Sequence, residues 1–209
     1  MFPIVLAVAG LGFVAAIASA ISRKGAGATI SYETPTTESG YMPSVTIPKG
    51  FTPQVIASAK RWAAERGVPV QEILATIYVE SRGNPRAWAN LSTEDSRGLM
   101  QVNVNAWGSK LASYGLTVDD LWDVDKNIML GSLIYKQYRD NVLTWIAQSG
   151  KPQSASIDVL TRLAYKGPAY VKNAILAGKD ASHPYANAEA AVANWKVAMV
   201  VANQVTSVA

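Results

Sequence analysis

Cysteine is absent from the 209-residue sequence, and histidine occurs once, as His183. Disulfides, thiolate metal sites and a cysteine nucleophile are therefore excluded, and a Ser-His-Asp triad would depend on one imidazole. Charged residues are also few, at 16%, and 19 basic against 15 acidic residues give a net charge of +4. This mild excess lacks the clustered basic stripe of nucleic-acid-binding proteins, so no specific DNA binding is expected. Hydrophobic residues make up 49% of the chain, which excludes an intrinsically disordered protein.

Motifs for cofactors are absent as well. The sequence contains no metal-ligand spacing, phosphate-binding loop or dinucleotide fingerprint. It therefore predicts neither a metal nor a cofactor.

The first 24 residues form a hydrophobic segment. The run 4–21 is apolar or small throughout, about the length of a helix that spans a bilayer core. The basic region that precedes the apolar stretch of a signal peptide is missing. We interpret residues 1–24 as a transmembrane helix or a helix buried in an assembly, and residues 25–50, rich in Gly, Ser, Thr and Pro, as an extended linker.

Residues 51–209 carry repeated signals for helix starts and stops. Thr52-Pro53 is typical of an N-cap and first helical residue, and Gly67 of a helix end. Pro69 opens a second helix, which is expected to end near Gly83. Further helices are predicted over residues 104–113, 118–122, 126–148, 155–165, 168–176 and 186–205. Strand-like alternation is limited to residues 98–103, so the predicted fold class is all-α or mainly α.

Glu80 is the first candidate catalytic residue. It follows Ile73 and Ile77 at helical spacing, so its carboxylate extends an apolar stripe. It also lies in the last turn of its helix, where the dipole and partial desolvation both favour the protonated carboxyl group. A general acid requires this protonated form.

Three motifs occur in order along this part of the chain: Glu80-Ser81 leading to Asn84-Pro85, then Gly98-Leu99-Met100-Gln101, then Ala164-Tyr165-Lys166-Gly167. Together they resemble the soluble lytic transglycosylase family over about residues 51–176. The resemblance implies a lysozyme-like domain that cleaves peptidoglycan between N-acetylmuramic acid and N-acetylglucosamine and leaves a 1,6-anhydro product.

By the same resemblance, Glu80 is the acid and base, and the hydroxyl of Tyr165 orients it. Lys166 stands where the family has asparagine, and the third motif is one residue shorter than in the family. Contacts with the glycan are expected from residues in or near the motifs, namely Ser81, Gly98, Leu99, Met100, Gln101, Trp107 and Lys166. Trp88 is a further aromatic residue that could stack on sugar rings.

Two other functions remain open. Asp95 lies shortly before Gly98, where hydrolytic lysozymes place a second acid, and a carboxylate within about 5–9.5 Å of Glu80 would permit hydrolysis by water. Alternatively, the altered third motif suits a structural virion or secretion-channel component whose domain only binds glycan.

The expected location is the cell envelope. Arg23 and Lys24 follow the apolar run, which in ordinary insertion would keep the following domain cytoplasmic. Delivery within a bacteriophage particle avoids this conflict. The sequence therefore suggests a virion protein that reaches the periplasmic side of the host envelope and opens the wall for genome delivery, with other subunits of the particle as partners. The alternative is a bacterial inner-membrane protein facing the periplasm.

Overall fold

The computed structural model describes residues 47–91 and 94–208. The α-helices in these ranges are α1 (Pro53–Arg66), α2 (Val70–Ser81), α3 (Val104–Trp107), α4 (Val124–Ser149), α5 (Ile157–Lys166), α6 (Pro168–Leu176) and α7 (Ala188–Val208). Two 3-10 helices cover Gly108–Tyr114 and Asp119–Trp122. The predicted mainly helical class is confirmed.

The predicted hydrophobic helix at 1–24 lies outside the described residues, as does most of the linker at 25–50. Within the described ranges, no helix combines the length and the apolar character needed to cross a membrane.

Local capping explains where the first helices begin and end. The Thr52 side chain accepts a hydrogen bond from the Val55 amide at 3.3 Å, and Gly67 ends α1 with a φ of 63°. Helix α2 ends before the predicted Gly83, because Arg82 already adopts the left-handed conformation with a φ of 55°. The Arg82 guanidinium carbon lies 3.9 Å from the ring centroid of Tyr78, a cation–π contact that offsets part of the backbone strain.

A small antiparallel sheet follows α2 and was largely missed by the sequence analysis. Its strands are β1 (Trp88–Leu91), β2 (Glu94–Arg97) and β3 (Val102–Asn103), in that spatial order. Trp88 pairs with Arg97 and Asn90 with Asp95, so the outer face of the hairpin is mostly polar. Within β2, Ser96 is the one residue that is fully buried. The strands therefore lack the apolar alternation that would have revealed them.

Helix α4 is the central support of the domain. It has 26 residues, which at 1.5 Å per residue span about 39 Å, and it packs against α1, α5 and α6. Helix α7 packs along α2 and buries Trp195, Ala198, Val201 and Ala202. The C-terminal helix thus completes the core around the helix that carries Glu80.

Candidate active site

Glu80 lies in the last turn of α2, beyond the fully buried Ile73 and Ile77. Its side chain is 13% exposed, so the carboxylate sits at the margin of the core, as the apolar stripe predicted. Glu80 Oε1 accepts a hydrogen bond from Arg162 Nη1 at 2.5 Å. The candidate catalytic carboxylate is therefore half of an ion pair.

Arg162 is the site residue that sequence reasoning missed. It lies on α5 with a side chain only 2% exposed, between buried Val159 and the family-like Tyr165 at three-residue spacing. That spacing puts all three residues on one helix face. An arginine on an otherwise apolar helix face was the available signal, because fully buried arginines are rare without a partner. The identity of that partner, 82 positions away, could not be read from the sequence.

Tyr165 has a different partner from the one expected. Its hydroxyl donates to the Met100 carbonyl oxygen at 2.8 Å, so its proton is used on the backbone and not on Glu80. Burial raises the pKa of Tyr165, and the negative charge of Glu80 acts in the same direction. The phenol remains a neutral hydrogen-bond donor that fixes the turn beside the site.

The Gly98–Gln101 turn is held against α4 by the buried Asn127. Asn127 Nδ2 donates to the carbonyls of Arg97 and Leu121, each at 2.9 Å, and Oδ1 accepts from the Met100 amide at 2.9 Å. Gly98 has a φ of +77°, and a Cβ there would lie 2.2 Å from Asn127 Nδ2. Gly98 is therefore required by the close approach to α4, which is a structural role.

The turn and the end of α2 contain several residues expected to contact the glycan. Leu99 and Met100 have fully buried side chains, so the glycan contact predicted for them would involve their backbone groups. The Ser81 hydroxyl donates to the Leu99 carbonyl at 2.8 Å and joins the end of α2 to the turn.

Gln101 Nε2 donates to the carbonyls of Ala87 and Gly98 at 2.9 and 3.0 Å. Within the described chain, the side-chain oxygen of Gln101 keeps its capacity to accept a bond from a ligand.

The tryptophans beside the motifs differ in exposure. Trp107, expected to contact glycan, is only 8% exposed and belongs to a core cluster with Leu111 and Leu121. Trp88 is 54% exposed and packs edge-on against Trp122, with ring centroids 6.1 Å apart. Of these two tryptophans, Trp88 is therefore the one whose indole a ligand can reach. Lys166 is also exposed.

Asp95 is held in place by partners on the outer face of the hairpin. Its two oxygens accept from Arg97 Nε and Nη2, both at 2.9 Å, and Oδ1 also accepts from Trp88 Nε1 at 2.9 Å. The hydrogen bonds from Arg97 lower the pKa of Asp95. The carboxylate is thus ionised and engaged in structural contacts at neutral pH.

No three His, Asp or Glu side chains converge as metal ligands in the part of the chain that the structure describes. The chemistry available at the site is acid and base chemistry by Glu80, with Arg162 as its charged neighbour.

Part of the chain matches a known protein family. Residues 57–150 match the family model described as Transglycosylase SLT domain, and this stretch contains Glu80, Asp95 and Gln101. No curated protein matches the chain. Members of the matched family are lytic transglycosylases that act on peptidoglycan. The match ends before Arg162 and Tyr165, so part of the site lies beyond it.

Proposed function

We propose, from the match of residues 57–150 to the transglycosylase SLT family, that this protein is a peptidoglycan lytic transglycosylase with Glu80 as its acid and base. The observation that carries the proposal is the position of Glu80 within the matched stretch. It ends α2 at the margin of the core, beside the turn that Ser81 joins to the helix. A carboxyl group at the margin of the core can reach a bound substrate and transfer a proton both to it and from it.

The reaction has two proton transfers and consumes no water. Protonated Glu80 gives its proton to the glycosidic oxygen between N-acetylmuramic acid and N-acetylglucosamine, and the bond from that oxygen to the muramic C1 breaks. The muramic C6 hydroxyl oxygen then bonds to C1, and its proton passes to the Glu80 carboxylate. The products are a 1,6-anhydro-muramic end and a free C4 hydroxyl, and Glu80 is again protonated. General acid and base catalysis of this type supplies about 10²- to 10⁴-fold in rate.

The contacts of Asp95 favour the anhydro product over hydrolysis. A base that activates water needs an oxygen available to that water. Both oxygens of Asp95 accept from Arg97, and Oδ1 also accepts from Trp88. The reaction through the C6 hydroxyl needs no second carboxylate. It therefore fits the engagement of Asp95 by Arg97 and Trp88 better than hydrolysis does.

Two groups near the turn are suited to hold the glycan. The Gln101 side-chain oxygen can accept from a sugar amide or hydroxyl, since its amide nitrogen is already used within the protein. The exposed Trp88 ring offers an apolar face to a sugar ring.

Features of the sequence also support a proposed biological setting. The apolar run 4–21 suits a membrane-inserting or assembly segment, and basic residues only after it fit delivery to the envelope from outside. In this proposal, the protein travels in a bacteriophage particle and opens the host wall locally on the periplasmic side during genome delivery.

The test is mass spectrometry of soluble products from isolated peptidoglycan. The parent chain is compared with Glu80→Gln, which keeps the side-chain shape, and with Glu65→Gln, a matched change of an exposed glutamate on α1. Anhydro-muropeptides are expected from the parent and Glu65→Gln and should fall at least about 100-fold with Glu80→Gln.

Other outcomes would replace the proposal with a specific alternative. Reducing muramic ends would show hydrolysis, with Asp95 as the candidate second carboxylate. Binding to peptidoglycan without any product would show a glycan-binding assembly component.

A further inference from the structure

An open cavity of about 600 Å³ lies beside the first residues of α4. Its lining includes the indole of Trp122, the guanidinium of Arg86 and the carboxylates of Asp119 and Asp123. Glu80 is not part of this lining, and the reaction proposed above uses none of the four side chains. The cavity is therefore distinct from the site of proton transfer.

Arg86 supplies the cavity with a positive charge that has no anionic partner within the described chain. Its guanidinium carbon lies 5.9 Å from the ring centroid of Trp122, and its side chain is exposed and makes no hydrogen bond or ion pair there. The guanidinium of Arg97 lies beside the same indole, but it donates twice to Asp95, at 2.9 Å each. Of these two arginines, Arg86 is therefore the one that can bind an anion.

Asp119 supplies the opposite charge. It is exposed, and its carboxylate accepts no hydrogen bond from the residues that the structure describes. The adjacent Asp120 is instead paired with Lys126 Nζ at 2.5 Å, and Asp123 uses Oδ1 to accept from the Lys126 amide at 2.9 Å. The cavity thus offers an available carboxylate at Asp119 and an available guanidinium at Arg86.

The cavity adjoins the surface proposed to hold the glycan. Trp122 packs edge-on against the exposed Trp88, with ring centroids 6.1 Å apart. Ala87, the neighbour of Arg86 in the chain, accepts from Gln101 Nε2 at 2.9 Å. A glycan held by Trp88 and Gln101 would therefore lie beside the cavity.

Charges of both signs around an indole suit a ligand that carries both signs. An uncharged sugar ring offers no ionic partner to Arg86 or Asp119, and a polyanion would be repelled by the two aspartates. The stem peptide attached to muramic acid carries carboxylates and, on its diamino acid, an ammonium group. A guanidinium binds a carboxylate through parallel N–H bonds, an aspartate accepts from an ammonium group, and the indole covers the aliphatic part of the diamino acid.

We propose that the cavity binds the stem peptide of peptidoglycan, with Arg86 on a peptide carboxylate and Asp119 on the ammonium group of the diamino acid. This inference rests on the proposed function and specifies its substrate. The enzyme prefers glycan strands that still carry their peptides to strands from which the peptides have been removed.

The test measures binding of the free tetrapeptide of L-alanine, D-glutamate, meso-diaminopimelate and D-alanine to the full chain. Titrations followed by NMR at the tryptophan indole N–H signals give the Kd. Arg86→Gln and Asp119→Asn should each raise the Kd by about three- to tenfold, the effect of one exposed charge-assisted contact. Both side chains are exposed and make no hydrogen bond within the described chain, so both variants are expected to fold.

Lys110→Gln is the matched control. Lys110 is also an exposed cation beside an indole, with Nζ 4.5 Å from the Trp107 ring centroid, and its replacement should keep the parental Kd. Acetylation of the diaminopimelate amine should weaken binding to the parent and have little further effect on Asp119→Asn. Absence of tetrapeptide binding by the parent, or equal Kd values for Arg86→Gln and Lys110→Gln, would overturn the proposal.

Cleavage kinetics separate this inference from the proposed function. On soluble glycan strands that carry peptides, Arg86→Gln should raise KM by about three- to tenfold with little change in kcat, because the contact is made equally before and during the reaction. Removal of the peptides with an amidase should raise the KM of the parent to that of Arg86→Gln. Absence of anhydro products from the parent on both substrates would contradict the proposed function, and the Kd of the tetrapeptide would still decide the role of the cavity.

Discussion

At the scale of single residues, the site depends on bonds between side chains and a backbone turn. The Tyr165 hydroxyl supports the Met100 carbonyl, and the Ser81 hydroxyl supports the Leu99 carbonyl. These two bonds fix the turn from α5 on one side and from α2 on the other. Tyr165 is thus expected to contribute to stability more than to proton transfer.

Tyr165→Phe tests this role. The change leaves the Met100 carbonyl without its donor, which should lower the free energy of unfolding by about 1–3 kcal/mol in urea denaturation. The cleavage rate per folded molecule should fall less than about tenfold, since the hydroxyl proton is not bonded to Glu80. Tyr138→Phe is the control, because that ring packs against Tyr165 and its hydroxyl makes no hydrogen bond within the described residues. Unchanged stability with more than a 100-fold loss of cleavage would instead identify Tyr165 as the group that orients Glu80.

At the scale of secondary-structure elements, the β1–β2 hairpin presents an organised polar and aromatic face. Arg97 lies between two indoles, with its guanidinium carbon 5.6 Å from the Trp88 ring centroid and 5.4 Å from that of Trp122. Asp95 accepts hydrogen bonds from both Arg97 and Trp88. The Trp88 ring is therefore held in one orientation although half of its surface is open, and a rigid aromatic surface binds ligands at low entropic cost.

Trp88→Ala is expected to weaken retention on peptidoglycan by about three- to tenfold, which corresponds to about 0.5–1.5 kcal/mol for one aromatic contact. The measurement is a sedimentation assay in the Glu80→Gln background, where the glycan stays intact. Trp88→Phe should retain most of the binding. Tyr114→Ala removes an exposed aromatic ring on another element and serves as the control. Equal retention by Trp88→Ala and the control would argue against glycan contact by the hairpin.

The elements differ in how far the sequence could predict them. Thr52-Pro53, Gly67 and Pro168 marked helix ends correctly, since capping depends on neighbouring residues. The hairpin was missed because its outward face, with Asn90 and Asp95 paired across it, is polar.

Among the candidate site residues, Glu80 was predicted from its helix position and motif. The partners of Arg162 and Tyr165 were not, because both bonds depend on tertiary packing of α5 against distant segments.

At the scale of the whole molecule, stability depends on a second carboxylate within the core. Glu72 is buried on α2, where it accepts from the Tyr135 hydroxyl at 2.9 Å and from Arg139. Burial raises the pKa of Glu72 above its ordinary value of 4.5, although Arg139 and Tyr135 oppose the shift. The folded chain therefore binds this proton more tightly than the unfolded chain. The resulting stability is fully present below the ordinary pKa and is lost as the pH rises through the folded value.

Glu72→Gln removes this titration and keeps an acceptor for Tyr135. Relative to the parent, its free energy of unfolding should increase as the pH rises from about 4 to about 8, because the parent must bury a charge in that range. The measurement is urea denaturation at several pH values. Glu65→Gln, on the exposed face of α1, should show no such trend. A Glu72→Gln difference that shrinks with pH would mean that the ion pair with Arg139 outweighs the cost of burial.

The packing of α7 along α2 has a consequence for the order in which the protein is made. During synthesis, α2 leaves the ribosome first, and the chain then passes through the sheet and four further α-helices before α7 emerges. Domains fold as units, and contacts distant in sequence form only when both partners are present. The buried face of the helix that carries Glu80 therefore stays uncovered until translation has passed α7. A prematurely terminated chain that lacks α7 is therefore expected to leave α2 without this packing partner.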